Sequence, residues 1–347
     1  MQPARKPPSR AVEKPSPTSA THGYAYAQSL IYDVCCLAGS SSFVDDARDN
    51  LVNEGVLNAI EAHNTPVLFD WMVRVFSFQG IADAIAANYM EKHGALTWSA
   101  VTADLGEDPA CPKLQSYWQF FDCGYRKGSG SCNEPDHLAG CPLPKHPLRN
   151  GRLNQTAYSL FLFIRDIAGG DLVDWIDRQL AEADDRTDPD RITSMIERLV
   201  GPLRHIYGVS DKVAMMTLAS LLLASSKPLW PEVGASMIAV DTLVHNFLHR
   251  TGILYRLGAD HAYGAFCYRP NGCADIIRTV ATRIDARPFN RTFPQVFPRF
   301  VQNAIWRYCA QSFFNVCNGN RIDDRGRCDN LHCQLYWRCD RKPLIIR

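Results

Sequence analysis

From about Tyr24 onward, apolar side chains recur at intervals of three and four positions, while runs that alternate apolar with polar residues are scarce. That period belongs to amphipathic helices, so the chain reads as all-α. The spacing predicts helices over residues 24–37, 46–62, 66–76, 81–92, 155–168, 172–183, 191–205, 211–224, 242–250, 274–284 and 297–314. Asn154, Asp171 and Ser210 stand at helix starts, where a short polar side chain can accept from the first unpaired amides. The pattern lapses over 106–152, where Gly, Pro, Cys, His and basic residues replace the periodic apolar positions. This stretch reads as a cysteine-bearing insertion. No internal repeat of useful length interrupts the series.

A chain of 347 residues, 46% hydrophobic and 21% charged, has room for about two domains with their own cores. Its 37 Lys and Arg nearly cancel 36 Asp and Glu, leaving a formal charge of +1. Contact with a polyanion would therefore rest on local basic patches. Residues 1–22 are rich in Pro, Ser and basic side chains and lack the apolar stretch of a signal peptide, which predicts a disordered tail. The longest uncharged, largely apolar run, 213–226, has 14 residues, short of the roughly 18 a membrane helix needs. The expectation is a soluble, intracellular protein with no membrane partner. In a reducing compartment its 13 cysteines point to metal ligands or redox groups rather than disulfides.

Between two helical patterns lies Ile206-Tyr207-Gly208-Val209-Ser210-Asp211-Lys212-Val213-Ala214. A tight Gly-containing turn between helices can point backbone amides outward, and with the second helix's N-terminus it offers a seat for phosphate. The same segment also reads as a plain connection between packed helices. Further on come Val240-Asp241-Thr242-Leu243-Val244 and Arg250-Thr251-Gly252; upstream, Phe76-Ser77-Phe78-Gln79-Gly80 precedes Asp83. Taken together and in this order, these segments resemble the helix-hairpin-helix DNA glycosylase superfamily, in particular its endonuclease III-like branch. That branch carries a Gly-Val-Gly-x-Lys-x-Ala hairpin, a Val-Asp-Thr helix start and an Arg-x-Gly. The resemblance covers the chain from about Leu68 onward, without the insertion. Three departures are visible: Ser210 replaces the second hairpin Gly, Leu243 replaces a His, and Lys212 and Asp241 lie 29 positions apart.

The resemblance implies a two-lobed helical fold around a DNA cleft. One lobe, 65–235, is a helical barrel with the hairpin and the insertion; the other combines 23–64 with 236–347. It implies a monomer acting on double-stranded DNA, in the cytoplasm at the nucleoid or in a nucleus. The activity implied is base excision: the nucleotide is flipped into a pocket and the N-glycosidic bond is cut. Gln79 would fill the gap in the base stack, while Gly208, Val209, Ser210 and Arg250 would contact DNA. Bond cleavage builds positive charge on the sugar, which a carboxylate beside C1′ stabilises. Asp241 fits that role and equally fits the N-cap of the next helix. Lys212 could attack C1′ and form a Schiff base, giving abasic-site lyase activity. If Lys212 contacts only phosphate, a monofunctional glycosylase or a non-catalytic DNA-binding protein of the same fold remains.

Near the C-terminus Cys317, Cys328, Cys333 and Cys339 read C-x10-C-x4-C-x5-C among Arg321, Arg325, Arg327, Arg338, Arg341 and Lys342, with Cys309 as an alternate for Cys317. Four thiolates suit either an iron–sulfur cubane or tetrahedral zinc. Endonuclease III-like enzymes carry a [4Fe-4S] cluster at this place, on C-x6-C-x2-C-x5-C. The cluster implied here would pin a basic loop against DNA phosphates. In the insertion, Cys111, Cys123, Cys132 and Cys141, with His137 and His146 nearby, suggest a structural zinc, because so Gly- and Pro-rich a segment has little apolar content to fold on. The adjoining run 145–152 is a candidate for backbone contact with DNA. Cys35 and Cys36 read as buried packing; Cys267 and Cys273 receive no role.

Overall fold

The computed structural model describes residues 17–78, 83–146, 148, 151, 153–318 and 322–345. Among them, helices are the only regular structure beyond an isolated bridge between Arg126 and Ser131, so the protein is all-α. No described helix is long and apolar enough to cross a membrane. The chain forms two compact units, one of Met1–Ser41 with Val240–Arg347, the other of Ser42–Ala239.

The second unit holds α2 (Phe43–Asn53), α3 (Val56–Glu61), α4 (Thr65–Phe76), α5 (Asp83–His93), α6 (Trp98–Leu105) and α7 (Tyr117–Phe120). It continues with α8 (Asn154–Asp166), α9 (Leu172–Glu182), α10 (Arg191–Leu203), α11 (Asp211–Ala224) and α12 (Trp230–Ser236). Its centre is α8, buried from Asn154 through Ile164, together with α11, buried on nearly every face. Such all-round apolar helices have no solvent face to present and must be wrapped by others. The predicted helix over 46–62 is two helices, because Gly55 adopts φ +71 between them. The L residues around it would resist that left-handed backbone. Residues 42–64, assigned from sequence to the terminal lobe, belong to this unit instead: α2 packs on α11 and α3 on α4.

The first unit holds α1 (Pro17–Ala38), α13 (Thr242–Arg250), α14 (Ile253–Arg256), α15 (Cys273–Ala281) and α16 (Pro298–Cys309). Ala27, Leu30, Ile31, Val34 and Ala38 make one buried stripe along α1, at the spacing of one helix face. That stripe packs on α14, α15 and α16. Each fully buried Leu, Ile or Val contributes roughly 1.5–3 kcal/mol relative to exposure. The described helices of this unit are few, and loops at 258–272, 310–318 and 322–345 join or follow them.

Candidate functional site

The hairpin predicted from sequence forms between α10 and α11. Gly208 sits at φ +76, and the place a Cβ would occupy is 3.1 Å from Thr156 Oγ1. The Val209 amide donates to Ile206 O (3.0 Å) and the Tyr207 amide to Ser159 Oγ (3.0 Å). Two of the hairpin's amides are therefore spent inside the fold. Those of Gly208, Ser210 and the first turn of α11 are the ones placed to meet a phosphate. Ser210 has the extended backbone of an N-cap but no side-chain capping bond, and Val209 is buried. Lys212 is half-buried in the first turn of α11, and no described carboxylate pairs with it. Neighbouring Asp211 is held by Arg204, which also bonds Glu197. Beside the turn, Tyr207 and Trp118 are exposed, and the Phe121 ring meets the His205 ring edge-on at 6.0 Å. Trp71 and Tyr117 are core residues.

In the first unit Asp241 caps α13, its Oδ1 accepting from the Val244 amide at 2.9 Å. Its backbone neighbour Val240 is clamped by Tyr268, whose Oη accepts from Val240 N (2.8 Å) and donates to Val240 O (3.2 Å). Burial brings the nearby Arg299 guanidinium down to about 10, with Tyr268 and Asp241 acting in the opposite direction. Gln79 lies outside the described residues, as do Pro147, Arg149, Asn150 and Arg152 of the basic run and Arg321 of the C-terminal one.

Arg250, expected at a DNA surface, is buried. Its Nη2 donates to Asp324 Oδ1 (2.8 Å), while its Nη1 has no partner among the described residues. It lines a pocket together with Cys317, Cys328, Cys333, Cys339 and Arg341, whose Nε is likewise buried and unpartnered. The reason is packing: α13 turns this side chain inward, toward the cysteines rather than solvent. The four C-terminal cysteines thus converge. Cys309 is not among the lining residues; it is buried behind and bonded to the Cys317 thiol, so Cys317 is the better fourth ligand. Arg341 N donates to Cys339 Sγ (3.3 Å), the Leu335 amide bonds Cys333, and Tyr308 Oη lies 3.2 Å from the same sulfur. Burial, together with the neighbouring cysteines, pushes the Cys339 thiol up to about 12. Four protonated thiols would leave both guanidinium donors unanswered, whereas a metal-bound thiolate set carries the negative charge they complement. In the basic loop Arg325, Arg327 and Arg338 are exposed; Arg338 pairs with Asp33, and Lys342 lies 3.4 Å over the Tyr255 ring.

In the second unit the insertion builds a comparable pocket. Cys111, Cys123, Cys132 and Cys141 line it, with His137 at its side. Short 3-10 turns, Pro112–Leu114 and Pro135–Gly140, carry the chain around it. The amides of Tyr125 and Leu143 bond Cys123 and Cys141, each two residues on from its cysteine. Burial raises the Cys141 thiol to about 11. His146 is turned away, bonded to Asp104. Of the early pair, Cys35 is buried and Cys36 exposed, so only the first is packing.

Sequence reasoning missed a third group. His245, His261, Cys267 and Cys273 place one ligand atom each within 4.8 Å of one another, and together they could hold a metal ion. His245 reads as an ordinary helical position one turn after Asp241. The signal available was the spacing H-x15-H-x5-C-x5-C, with glycines before both cysteines.

Comparison with protein families, with curated proteins and with solved structures finds no match to the chain.

Proposed function

We propose that this chain is a DNA base-excision glycosylase, with abasic-site lyase activity through Lys212. The observation that carries the reading is Lys212 itself: an amine with no carboxylate partner among the described residues, in the first turn of a helix entered through a left-handed Gly208 turn. The turn's remaining amides and the helix N-terminus suit phosphate, so the lysine would lie close to a bound backbone. Exposed Tyr207 in the same turn offers a face on which a displaced base can stack.

In the chemistry this predicts, the Lys212 amine adds to C1′ of the extruded nucleoside. The glycosidic bond breaks and the base departs with the bonding pair, taking up the proton the amine gives up. The C1′–O4′ bond of the resulting aminal then opens, O4′ is protonated, and the Schiff base left at C1′ permits loss of a C2′ proton and elimination of the 3′-phosphate, which cuts the strand. Asp241 is the carboxylate assigned to stabilise charge on the sugar, and its capping bond holds its orientation. The C-terminal thiols would hold a [4Fe-4S] cluster, with zinc the alternative, and the insertion a zinc; both serve as anchors for loops that lack apolar content.

The test is a panel of duplexes with different damaged or modified bases, incubated with and without borohydride. We expect release of at least one base and a trapped covalent adduct that disappears in Lys212→Gln. If Lys212→Gln and Asp241→Asn leave every duplex as the wild type does, while DNA binding persists, the catalytic reading fails and a DNA-binding protein remains.

A further inference from the structure

We propose that His245, His261, Cys267 and Cys273 form a structural zinc site that clasps the loop 258–272 to the start of α13. The first argument is shape. A tetrahedral zinc with bonds of about 2.0–2.3 Å keeps its ligand atoms roughly 3.3–3.8 Å apart. Here His245 Nδ1 lies 3.3 Å from Cys273 Sγ and 3.6 Å from Cys267 Sγ, and His261 Nε2 lies 3.4 Å from Cys273 Sγ. Three edges of the tetrahedron are thus in place.

The second argument is protonation. His261 Nδ1 donates to the carbonyl of Ala259 at 2.7 Å, which leaves Nε2, the nitrogen aimed at the sulfurs, with its lone pair. A backbone carbonyl fixing the far nitrogen is the usual support for a ligating histidine.

The third argument is the backbone built to bring these atoms together. Gly264 adopts φ +149, and a Cβ at Gly272 would run into the carbonyl oxygens of Phe266, Arg269 and Cys267. The chain doubles back so tightly there that only glycine fits, and this return sets Cys273 beside Cys267. Both cysteines and His245 are buried. Two thiolates, two neutral imidazoles and Zn²⁺ sum to no net charge, which suits mostly buried ligand atoms whose histidine rings pack against Tyr263 and Phe266. The C-terminal pocket differs on this point, since its four thiolates come with two guanidiniums.

Metal content tests this independently of any activity on DNA. The full chain is purified without added metal or chelator, and its zinc and iron are counted by mass spectrometry beside Cys267→Ser and His261→Ala. We expect each variant to lack one zinc per chain relative to wild type, with iron and remaining zinc unchanged. Equal zinc in wild type and both variants overturns the site. Should the variants not fold, diffraction from wild-type crystals at the zinc absorption edge decides: an anomalous peak among the four ligand atoms supports the proposal, and none there refutes it.

Discussion

At Asp241, a stabilising role and a chemical one separate by substitution. Asparagine caps helices about as well as aspartate, whereas alanine costs about 1 kcal/mol. Asp241→Asn should therefore unfold within about 0.5 kcal/mol of wild type in urea and Asp241→Ala about 1 kcal/mol earlier, while both lose base release if the carboxylate acts on the sugar. The cap itself was legible in the sequence, as a polar residue before an apolar helix pattern. The inward turn of Arg250 was not. An Arg in the last turn of a helix reads as surface charge, and only the cysteines that arrive from more than sixty positions downstream give it a reason to be buried.

For single elements, boundaries were most faithful where a polar residue preceded an apolar run. Residues 211–224 and 242–250 form helices over those same spans, because an N-cap residue starts each and a strong change of pattern ends it. The break at Gly55 and the short helices α12 and α14 escaped notice, since one glycine or a four-residue turn hardly alters a period. The hairpin makes its own prediction. Gly208→Ala places a Cβ on left-handed backbone and close to Thr156, so stability should fall by about 1–2 kcal/mol in denaturant titration, and DNA affinity should fall with it. Helix α9 predicts a pH effect. Burial works against ionisation of Asp171, yet the Asp174 amide, the His63 ring and the Val173 amide together hold its carboxyl below the ordinary range. A folded-state value below the unfolded one, about 3.9, means that this stabilisation is present above that pH and is lost as pH falls through the lower value. Acid titration of unfolding should therefore show wild type losing more stability than Asp171→Asn between about pH 5 and pH 2.

Across the whole molecule, three groups of cysteine and histidine lie where helices are sparse. Two were visible in the sequence as cysteines crowded into short stretches without period; the third was hidden because its ligands come from a helix face, a loop and two glycine-steered turns. Removing metal with a chelator under reducing conditions should leave the helices of the second unit in place, since α8 and α11 are held by apolar burial. Protease cleavage should then appear first in 106–152, 258–272 and beyond 310, read by mass spectrometry of the fragments. The division of the chain has a consequence for synthesis. Helix α1 is made well before the helices that cover its apolar stripe, which begin only after Val240. Until some two hundred further residues have been made, the helices that cover that stripe do not exist, so over that interval the nascent chain carries an exposed sticky surface and depends on late closure, or on a chaperone, to hide it.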